Sequence, residues 1–227
     1  MNFETWEPVY ERILSDFGYD RAADERARDV LAGYARPFDR SRLAGVADAS
    51  VAVAGAGPSL ADEADRAAAA EFVFAASTAA DVLESAGVAV DVVVTDLDKN
   101  PGTAVELSRR GVPVAVHAHG DNVDTIDRWL PAFDVDEVIA TTQARPVDAV
   151  VNPGGFTDGD RAAFLADELD AGRLRFVGWD FDDPSLDATK RKKLAWAERL
   201  LAWLETRRGE RFDVLDGRRA AIEPLRR

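Results

Sequence analysis

The stretch Val112-Pro113-Val114-Ala115-Val116-His117-Ala118-His119-Gly120-Asp121-Asn122 joins an apolar run to a polar hexapeptide that holds both histidines of the chain. Short β-branched runs of this kind are typical of buried strands, and a strand here would place His117 and His119 on the same side. Gly120 then allows a turn, and Asp121 is predicted to cap the helix that follows. Open α/β sheets bind their ligands at the carboxyl ends of their strands, so this hexapeptide is a candidate site.

The same alternation of strand and helix patterns continues along the chain. Apolar runs predict further strands at residues 50–54, 72–76, 90–95, 137–140, 149–151, 174–179 and 212–215. Helical patterns of about ten residues separate most of these runs, and a longer helix is predicted over 189–207. This order predicts an α/β fold with a doubly wound, mostly parallel, Rossmann-like sheet. Residues 1–47 are predicted to form an N-terminal helical appendage, and residues 48–227 the α/β catalytic domain.

Charge and composition exclude several classes of protein. The 227 residues include 42 acidic and 28 basic ones, for a formal net charge of −14. Nucleic acids and anionic membranes bind basic patches, so neither partner is expected. No apolar run reaches the ~18 residues of a membrane span, and the acidic N-terminus does not resemble a signal peptide. With no cysteine and only four lysines, the sequence predicts a cytoplasmic protein of the acidic type found in high salt.

A glycine-rich segment, Gly55-Ala56-Gly57-Pro58-Ser59-Leu60, follows the first of the predicted strands after residue 48. Glycines there permit close backbone approach, and a helix N-terminus attracts phosphate. Leu60 stands where a dinucleotide-binding motif has its third glycine, so the segment is not that motif. It predicts phosphate or nucleotide binding, although a plain tight turn explains the same residues. The residues predicted to bind the cofactor are Gly55, Gly57, Pro58 and Ser59.

Asp96 and Asp98 end the strand that precedes the histidines along the chain. Two carboxylates at this spacing can face one Mg²⁺ ion, which needs few protein ligands when substrate phosphates supply the others. A solvated turn before Pro101 is the alternative. The neighbouring hexapeptide has three interpretations: a His-x-His metal site completed by Asp121, polar recognition of a triphosphate or its magnesium, and a structural turn. The nearby oxygen ligands favour the second of these.

Two later segments and one lysine complete the set of candidates. The loop from Asn152 to Arg161 is rich in turn formers, and Thr157 or Asp158 is predicted to cap the helix after it. Its glycines and its arginine suit a phosphate. Trp179 and Asp180 end a strand, where an indole can stack on a flat ring and a carboxylate can accept hydrogen bonds from it. The predicted cofactor-binding residues from these segments are Gly154, Gly155, Thr157, Arg161 and Lys193.

Taken in order, these segments resemble the archaeal 6-hydroxymethyl-7,8-dihydropterin pyrophosphokinases, the MptE-like proteins of the domain-of-unknown-function-115 group. The resemblance covers nearly the whole chain from about residue 48 and includes Thr95–Asp98, His117–Asn122 and Gly154–Arg161. It implies a fold related to that of thiamine pyrophosphokinase. The chain departs from that relative at Ala75-Ala76-Ser77-Thr78, where an aspartate-containing turn is expected.

The resemblance implies transfer of diphosphate from ATP to the hydroxymethyl group of the dihydropterin, with release of AMP, in methanopterin or folate biosynthesis. It implies Mg²⁺ held by Asp96 and Asp98, and pterin recognition by Trp179 and Asp180. The alternatives are a thiamine pyrophosphokinase, a metal-dependent hydrolase using His117 and His119, and a non-catalytic nucleotide-binding module. A homo-oligomer is compatible with the sequence. The residues expected to arrange the triphosphate or the attacking hydroxyl are His117, His119, Asp121 and Asn122.

Overall fold

The structure, a computed structural model, describes residues 1–225. Helices and strands alternate through most of the chain, as the sequence predicts. The helices are α1 (Phe3–Phe17), α2 (Arg21–Tyr34), α3 (Ala64–Ala68), α4 (Ala79–Ser85), α5 (Pro101–Arg109), α6 (Val123–Trp129), α7 (Asp158–Glu168) and α8 (Ala188–Arg208). The strands are β1 (Ser50–Ala54), β2 (Phe72–Ala76), β3 (Val92–Thr95), β4 (Val114–Ala118), β5 (Val138–Thr142) and β6 (Arg173–Val177).

The chain divides into two compact units, and the first comprises residues 1–42 and 91–154. Its three strands are parallel and lie in the order β5-β4-β3. Every residue of these strands is buried, which matches the continuous apolar runs typical of parallel strands covered on both faces. The register pairs Thr95 with Val116 and His117 with Thr141, so the polar carboxyl ends of the three strands lie side by side.

The N-terminal helices belong to this first unit. The Asn2 side chain caps α1 by accepting from the Thr5 amide at 3.0 Å, and Gly18 ends the helix in the left-handed conformation. Helix α1 buries one face that includes Trp6, Tyr10 and Ile13. Helix α2 packs against β4, β5 and α6. Within residues 1–225, no helix has both the length and the apolar character that crossing a membrane requires.

The second unit comprises residues 43–90 and 155–225 of the described chain. Its strands are parallel in the order β2-β1-β6, so β1 has its successor β2 on one side and β6 on the other. Such a reversal of strand order is a topological switch point, and the crevice beyond it is the usual ligand site of doubly wound folds. The loops after β1 and β6 meet there, and α7 packs against β1, β2 and α8.

The predicted fold class, a doubly wound α/β fold with parallel strands, is confirmed. Two predicted strands are wrong. Residues 149–151 form only isolated bridges, because Asp148 turns the chain at a φ of 48° just before them. Residues 213–215 form a 3-10 helix, because burial of Phe212 and Leu215 follows a helical spacing of three residues.

Candidate active site

The turn that follows β3 holds its aspartates in a strained backbone. Leu97 is buried and has a φ of 67°, a left-handed conformation that is uncommon for a leucine. The Thr95 hydroxyl accepts from the Leu97 amide at 2.9 Å, and Asp96 Oδ1 accepts from the Asp98 amide at 3.1 Å. Strain of this kind persists where the surroundings enforce it, and such residues cluster at functional sites.

Asp96 and Asp98 lie close enough for their carboxyl groups to share a hydrogen bond. Desolvation raises the pKa of Asp98, and the hydrogen bond and negative charge of Asp96 raise it further. Two neighbouring carboxylates repel each other, so a bound cation would stabilise the pair. No group of three or more His, Asp or Glu side chains within residues 1–225 is arranged to hold a metal. A metal at this pair would therefore complete its shell with ligand or water oxygens, as Mg²⁺ commonly does.

His117 is buried at the end of β4 and only 2% exposed. Its Nδ1 lies 3.0 Å from the Thr141 hydroxyl, which itself donates to the Val116 carbonyl at 3.1 Å. A hydroxyl has one proton to donate, so the proton between the two side chains belongs to Nδ1 of the histidine. Strand β5 therefore fixes both the orientation and the tautomer of this ring.

His119 lies at the same strand end, with its ring centroid 6.3 Å from that of His117. Its Nε2 is 3.3 Å from Asp96 Oδ2, and its Nδ1 accepts from the Asp121 amide at 3.4 Å. Because Nδ1 accepts, Nε2 carries the proton and donates to the carboxylate. The side chain is 23% exposed, so this ring, unlike that of His117, can reach a ligand in solvent.

Asn122 ties the two strand ends together. Its Nδ2 donates to the Asp96 carbonyl at 3.0 Å and to the His117 carbonyl at 2.7 Å, and its Oδ1 accepts from the His119 amide at 3.0 Å. The predicted capping of α6 by Asp121 is wrong, because the helix begins one residue later and Asn122 occupies the N-cap position. With its amide fully used inside the protein, Asn122 positions the site.

In the second unit, the loops after β1 and β6 meet at Ser59 and Asp180. Asp180 Oδ2 accepts from the Ser59 amide at 2.9 Å and from its hydroxyl at 2.8 Å. A Cβ at Gly55 would lie 2.6 Å from the Gly178 carbonyl, and one at Gly57 only 2.3 Å from Asp180 Oδ2. Backbone approach between the two loops therefore explains both glycines, and phosphate binding by Gly55, Gly57, Pro58 and Ser59 stays a prediction.

Trp179 is half-buried and anchored on several sides. Its Nε1 donates to the Val53 carbonyl at 3.0 Å, its ring meets Phe176 edge-on at 5.6 Å, and a Cβ at Gly159 would approach it to 2.8 Å. It also borders a cleft of about 460 Å³. The other residues that line this cleft are Pro58, Asp180, Phe181, Asp182, Asp183, Pro184, Val214 and Arg218.

The start of α7 presents a buried arginine. Thr157 and Asp160 form a reciprocal capping box there, which confirms the predicted capping by Thr157. Arg161 is 7% exposed, and its Nη1 pairs with Asp158 at 3.0 Å. Its buried Nε has no hydrogen-bond partner among residues 1–225. A buried guanidinium nitrogen without an acceptor is costly, so this group suits an anionic ligand.

The remaining candidates contribute less to the geometry. Gly154 and Gly155 both have positive φ angles, of 103° and 96°, which only glycine adopts easily. Lys193 lies half-buried in the second turn of α8, and its role stays a prediction. Ser77, where the chain departs from thiamine pyrophosphokinase, is buried at a φ of 51°.

Sequence reasoning missed one carboxylate of the first unit, Asp24 in α2. Asp24 is 3% exposed and lies three and seven residues before the buried Ala27 and Leu31. This spacing places an acidic residue on the apolar face of the helix, where an unpaired charge is rarely tolerated. The position of Asp24 on this apolar face is the feature of the sequence that could have identified it, because it indicates a carboxylate held by specific partners.

The fold and the polar strand ends define a Rossmann-like α/β protein with a candidate ligand site at the carboxyl ends of parallel strands. The model of the 6-hydroxymethylpterin diphosphokinase MptE-like family matches residues 29–185, and the chain belongs to this family.

Three relatives share the name 6-hydroxymethyl-7,8-dihydropterin pyrophosphokinase. The protein of Methanothermobacter thermautotrophicus is 39% identical over 90% of this chain and 96% of its own length. That of Pyrococcus furiosus is 39% identical over 90% of this chain and 95% of its own length. That of Methanocaldococcus jannaschii is 29% identical over 90% of this chain and 96% of its own length.

Proposed function

We propose that this chain transfers diphosphate from ATP to the hydroxymethyl group of 6-hydroxymethyl-7,8-dihydropterin and releases AMP. The observation that carries the proposal is the 39% identity with two relatives named as pyrophosphokinases of this pterin, over 90% of the chain. The paired carboxylates and the adjacent histidine of the first unit supply groups that this chemistry requires. The reaction belongs to the synthesis of a methanopterin or folate type of one-carbon carrier, and it takes place in the cytoplasm.

In the reaction, the pterin hydroxyl oxygen forms a bond to the β-phosphorus of ATP. The bond between this phosphorus and the oxygen that bridges it to the α-phosphorus breaks, and its electron pair leaves with AMP. The hydroxyl proton passes to a base. Catalysis of such a transfer depends mainly on positioning and on stabilising charge at the phosphates.

Asp96 and Asp98 are the residues we assign to Mg²⁺. Their carboxyl groups are adjacent, and their donor set of oxygens is the one that Mg²⁺ prefers. The ion, when bound, would neutralise charge on the phosphate oxygens. The strained turn at Leu97 places the two carboxylates next to each other on one short segment.

We assign His119 as the base that accepts the proton of the pterin hydroxyl. It is partly exposed, its Nδ1 carries the lone pair, and Asp96 lies at its Nε2. Proton acceptance at Nδ1 would replace the 3.4 Å hydrogen bond from the Asp121 amide and create an imidazolium, which the carboxylate of Asp96 stabilises. His117 is assigned to the support of this strand end, because its ring is buried against Thr141.

The second unit supplies the candidates for ligand binding. Arg161 would contact a phosphate of ATP through its Nε, which has no acceptor within residues 1–225 and would become accessible through a movement of the side chain. Trp179 and Asp180 line a cleft of about 460 Å³ together with Phe181, and aromatic faces beside carboxylates suit the flat, nitrogen-rich pterin ring. We assign Gly55, Gly57 and Ser59 to the nucleotide, which would share the Ser59 donors with Asp180.

The test measures AMP release from ATP and Mg²⁺ with three acceptors in parallel: the dihydropterin, thiamine and water alone. The proposal expects stoichiometric AMP and pterin diphosphate with the first acceptor only. Turnover with thiamine instead would support the thiamine pyrophosphokinase alternative. Release of AMP or phosphate without any acceptor would support a hydrolase, and each of these two results would overturn the proposal.

A further inference from the structure

Asp24, on the N-terminal helix α2, has a carboxylate that accepts hydrogen bonds from three separate segments. Oδ2 accepts from the Tyr10 hydroxyl and from Gln143 Nε2, both at 2.7 Å. Oδ1 accepts from the backbone amide of Gly120 at 2.8 Å. A buried charge is tolerated when its lone pairs are filled in this way, and such charge-assisted bonds are short and strong.

The third of these donors lies inside the candidate active site. Gly120 is the residue between His119 and Asp121, and its amide is the backbone group through which α2 contacts the turn. A Cβ at Gly120 would lie 2.7 Å from the Cβ of Ala23, so the turn presses directly against the helix. Glycine is therefore required here for close approach to α2.

The position of the His119 ring depends on the same turn. Its Nδ1 accepts from the Asp121 amide at 3.4 Å, and its Nε2 donates to Asp96 at 3.3 Å. Both of those bonds require the backbone on either side of Gly120 to keep its present path. Two side chains hold this path: Asn122 Oδ1 accepts from the His119 amide at 3.0 Å, and Asp24, on α2, accepts from the Gly120 amide.

We infer that Asp24 is a positioning residue for the diphosphate transfer: it holds the His119–Asp121 turn through the Gly120 amide and so aims the His119 imidazole at Asp96. This inference rests on the proposed function only for its kinetic consequence. The structural consequence, a fixed ring with its proton at Nε2, is independent of the reaction. The N-terminal helices are then part of the catalytic apparatus, since one of them carries the residue that orients the histidine.

Three variants separate positioning from general stability. Asp24→Ala removes all three hydrogen bonds. Asp24→Asn keeps an oxygen that can accept from the Gly120 amide, and its NH₂ group can donate to Gln143 once the Gln143 amide flips to present Oε1, which has no partner within residues 1–225. Tyr10→Phe is the matched control, because it removes one buried hydrogen bond to the same carboxylate and leaves the bond to Gly120.

The direct readout is nitrogen-15 NMR of the imidazole rings, which gives two simple sets of signals because the chain has two histidines. His119→Gln assigns them. The inference expects the His119 signals of Asp24→Ala to show averaging of the two tautomers, while Tyr10→Phe and Asp24→Asn keep the proton at Nε2. Unchanged His119 signals in folded Asp24→Ala, or loss of the Nε2 tautomer in Tyr10→Phe, would overturn it.

Kinetics give the second readout. We expect kcat of Asp24→Ala to fall about 10- to 100-fold with a KM for ATP within about threefold, because misplacement of a reacting group affects mainly the chemical step. Asp24→Asn should regain most of this loss, and Tyr10→Phe should stay within about threefold of the parent. Equal losses of kcat in Tyr10→Phe and Asp24→Ala would indicate a merely structural role and contradict the inference.

A measurement on the unaltered protein covers the case in which Asp24→Ala does not fold. Hydrogen exchange at the Gly120 amide should be slower than at the neighbouring Asp121 amide, whose acceptor among residues 1–225 is 3.4 Å away. Rapid exchange at Gly120 would refute the contact itself. If the proposed reaction is absent while exchange and NMR behave as expected, the proposed function fails and the positioning of His119 stands.

Discussion

His119 Nε2 lies 3.3 Å from Asp96 Oδ2, so a histidine at the end of β4 bonds directly to a carboxylate at the end of β3. The same carboxylate neighbours Asp98, and the backbone of both strand ends is tied by Asn122. One aspartate thus connects the candidate metal site to the candidate proton acceptor. The consequences of this arrangement can be tested one residue at a time.

Removing either carboxylate should abolish the response to magnesium. We expect Asp96→Asn and Asp98→Asn to lower kcat on the order of 100-fold, because charge at the transferred phosphates would lack its counterion. The midpoint of thermal unfolding should rise with Mg²⁺ in the parent protein and stay constant in the Asp96→Asn/Asp98→Asn double variant. Asp124→Asn, an exposed change in the first turn of α6, is the control. Full magnesium-dependent turnover in the double variant would show that the metal assignment is wrong.

Replacing the NH₂ group of the Asn122 side chain by an oxygen should destabilise the protein. In Asn122→Asp, an oxygen replaces the NH₂ group that donates to the carbonyls of Asp96 and His117, so acceptors would face each other in a buried site. We expect the free energy of unfolding at pH 7 to fall by about 3 kcal/mol, measured by urea denaturation.

The loss should shrink at acidic pH, where the new carboxyl is protonated and can donate one bond. Asn2→Asp is the matched control, because the side-chain hydrogen bond of Asn2 within residues 1–225 uses its oxygen, which accepts from the Thr5 amide. That variant should change the free energy of unfolding by less than about 0.5 kcal/mol. Equal effects of the two substitutions would argue against the described role of Asn122.

Substitution of Arg161 should change the KM for ATP more than the KM for the dihydropterin. Arg161→Lys keeps a positive charge near Asp158 but removes the buried Nε that we assign to a phosphate. We expect the KM for ATP to rise about tenfold, with the KM for the dihydropterin within about twofold, by steady-state kinetics. Arg175→Lys, on an exposed residue of β6, controls for loss of a guanidinium elsewhere. An unchanged KM for ATP would remove Arg161 from the nucleotide site.

The hydrogen-bonded carboxylate of Glu205 should make the free energy of unfolding depend on pH in the acidic range. Arg219 bonds both of its carboxylate oxygens, at 2.8 and 2.6 Å, and lowers the pKa of Glu205 in the folded state. A carboxyl with a lowered folded pKa stabilises the protein above its unfolded pKa of about 4.3 and loses that contribution as pH falls through the folded value.

We therefore expect Glu205→Gln to lower the free energy of unfolding by about 1–2 kcal/mol at pH 7, and by less at pH 3. Urea denaturation at the two pH values measures the difference. Glu4→Gln serves as control, because Glu4 is 71% exposed and 3.6 Å from Arg145. A loss from Glu205→Gln that grows as the pH falls would have the wrong sign for this account.

The strands and the polar strand ends could be predicted because both depend on local pattern. The runs of β1 to β5 are mostly apolar and buried, β6 alternates exposed arginines with buried residues, and Asp96 and the two histidines follow apolar runs. Capping of α7 by Thr157 likewise depends on residues three positions apart. The strand predicted at 212–215 failed because two buried residues three apart are compatible with a 3-10 turn.

Relationships between distant segments could not be read from the chain in the same way. Asp24 meets Gly120 across 96 residues of sequence, and Ser59 meets Asp180 across 121. Nothing near Gly57 indicates that a carboxylate from the loop after β6 would lie against it. The distinction between His117 and His119 also depends on tertiary structure, because only the neighbouring β5 buries one ring against Thr141.

The most direct test of the account follows the β-phosphate itself. ATP labelled at the β-phosphorus is incubated with Mg²⁺, the protein and 6-hydroxymethyl-7,8-dihydropterin, and the products are separated. The account predicts that the label appears in a pterin diphosphate, in an amount equal to the AMP released. Label recovered in ADP or in inorganic phosphate or diphosphate, with none on the pterin, would contradict diphosphate transfer by this chain.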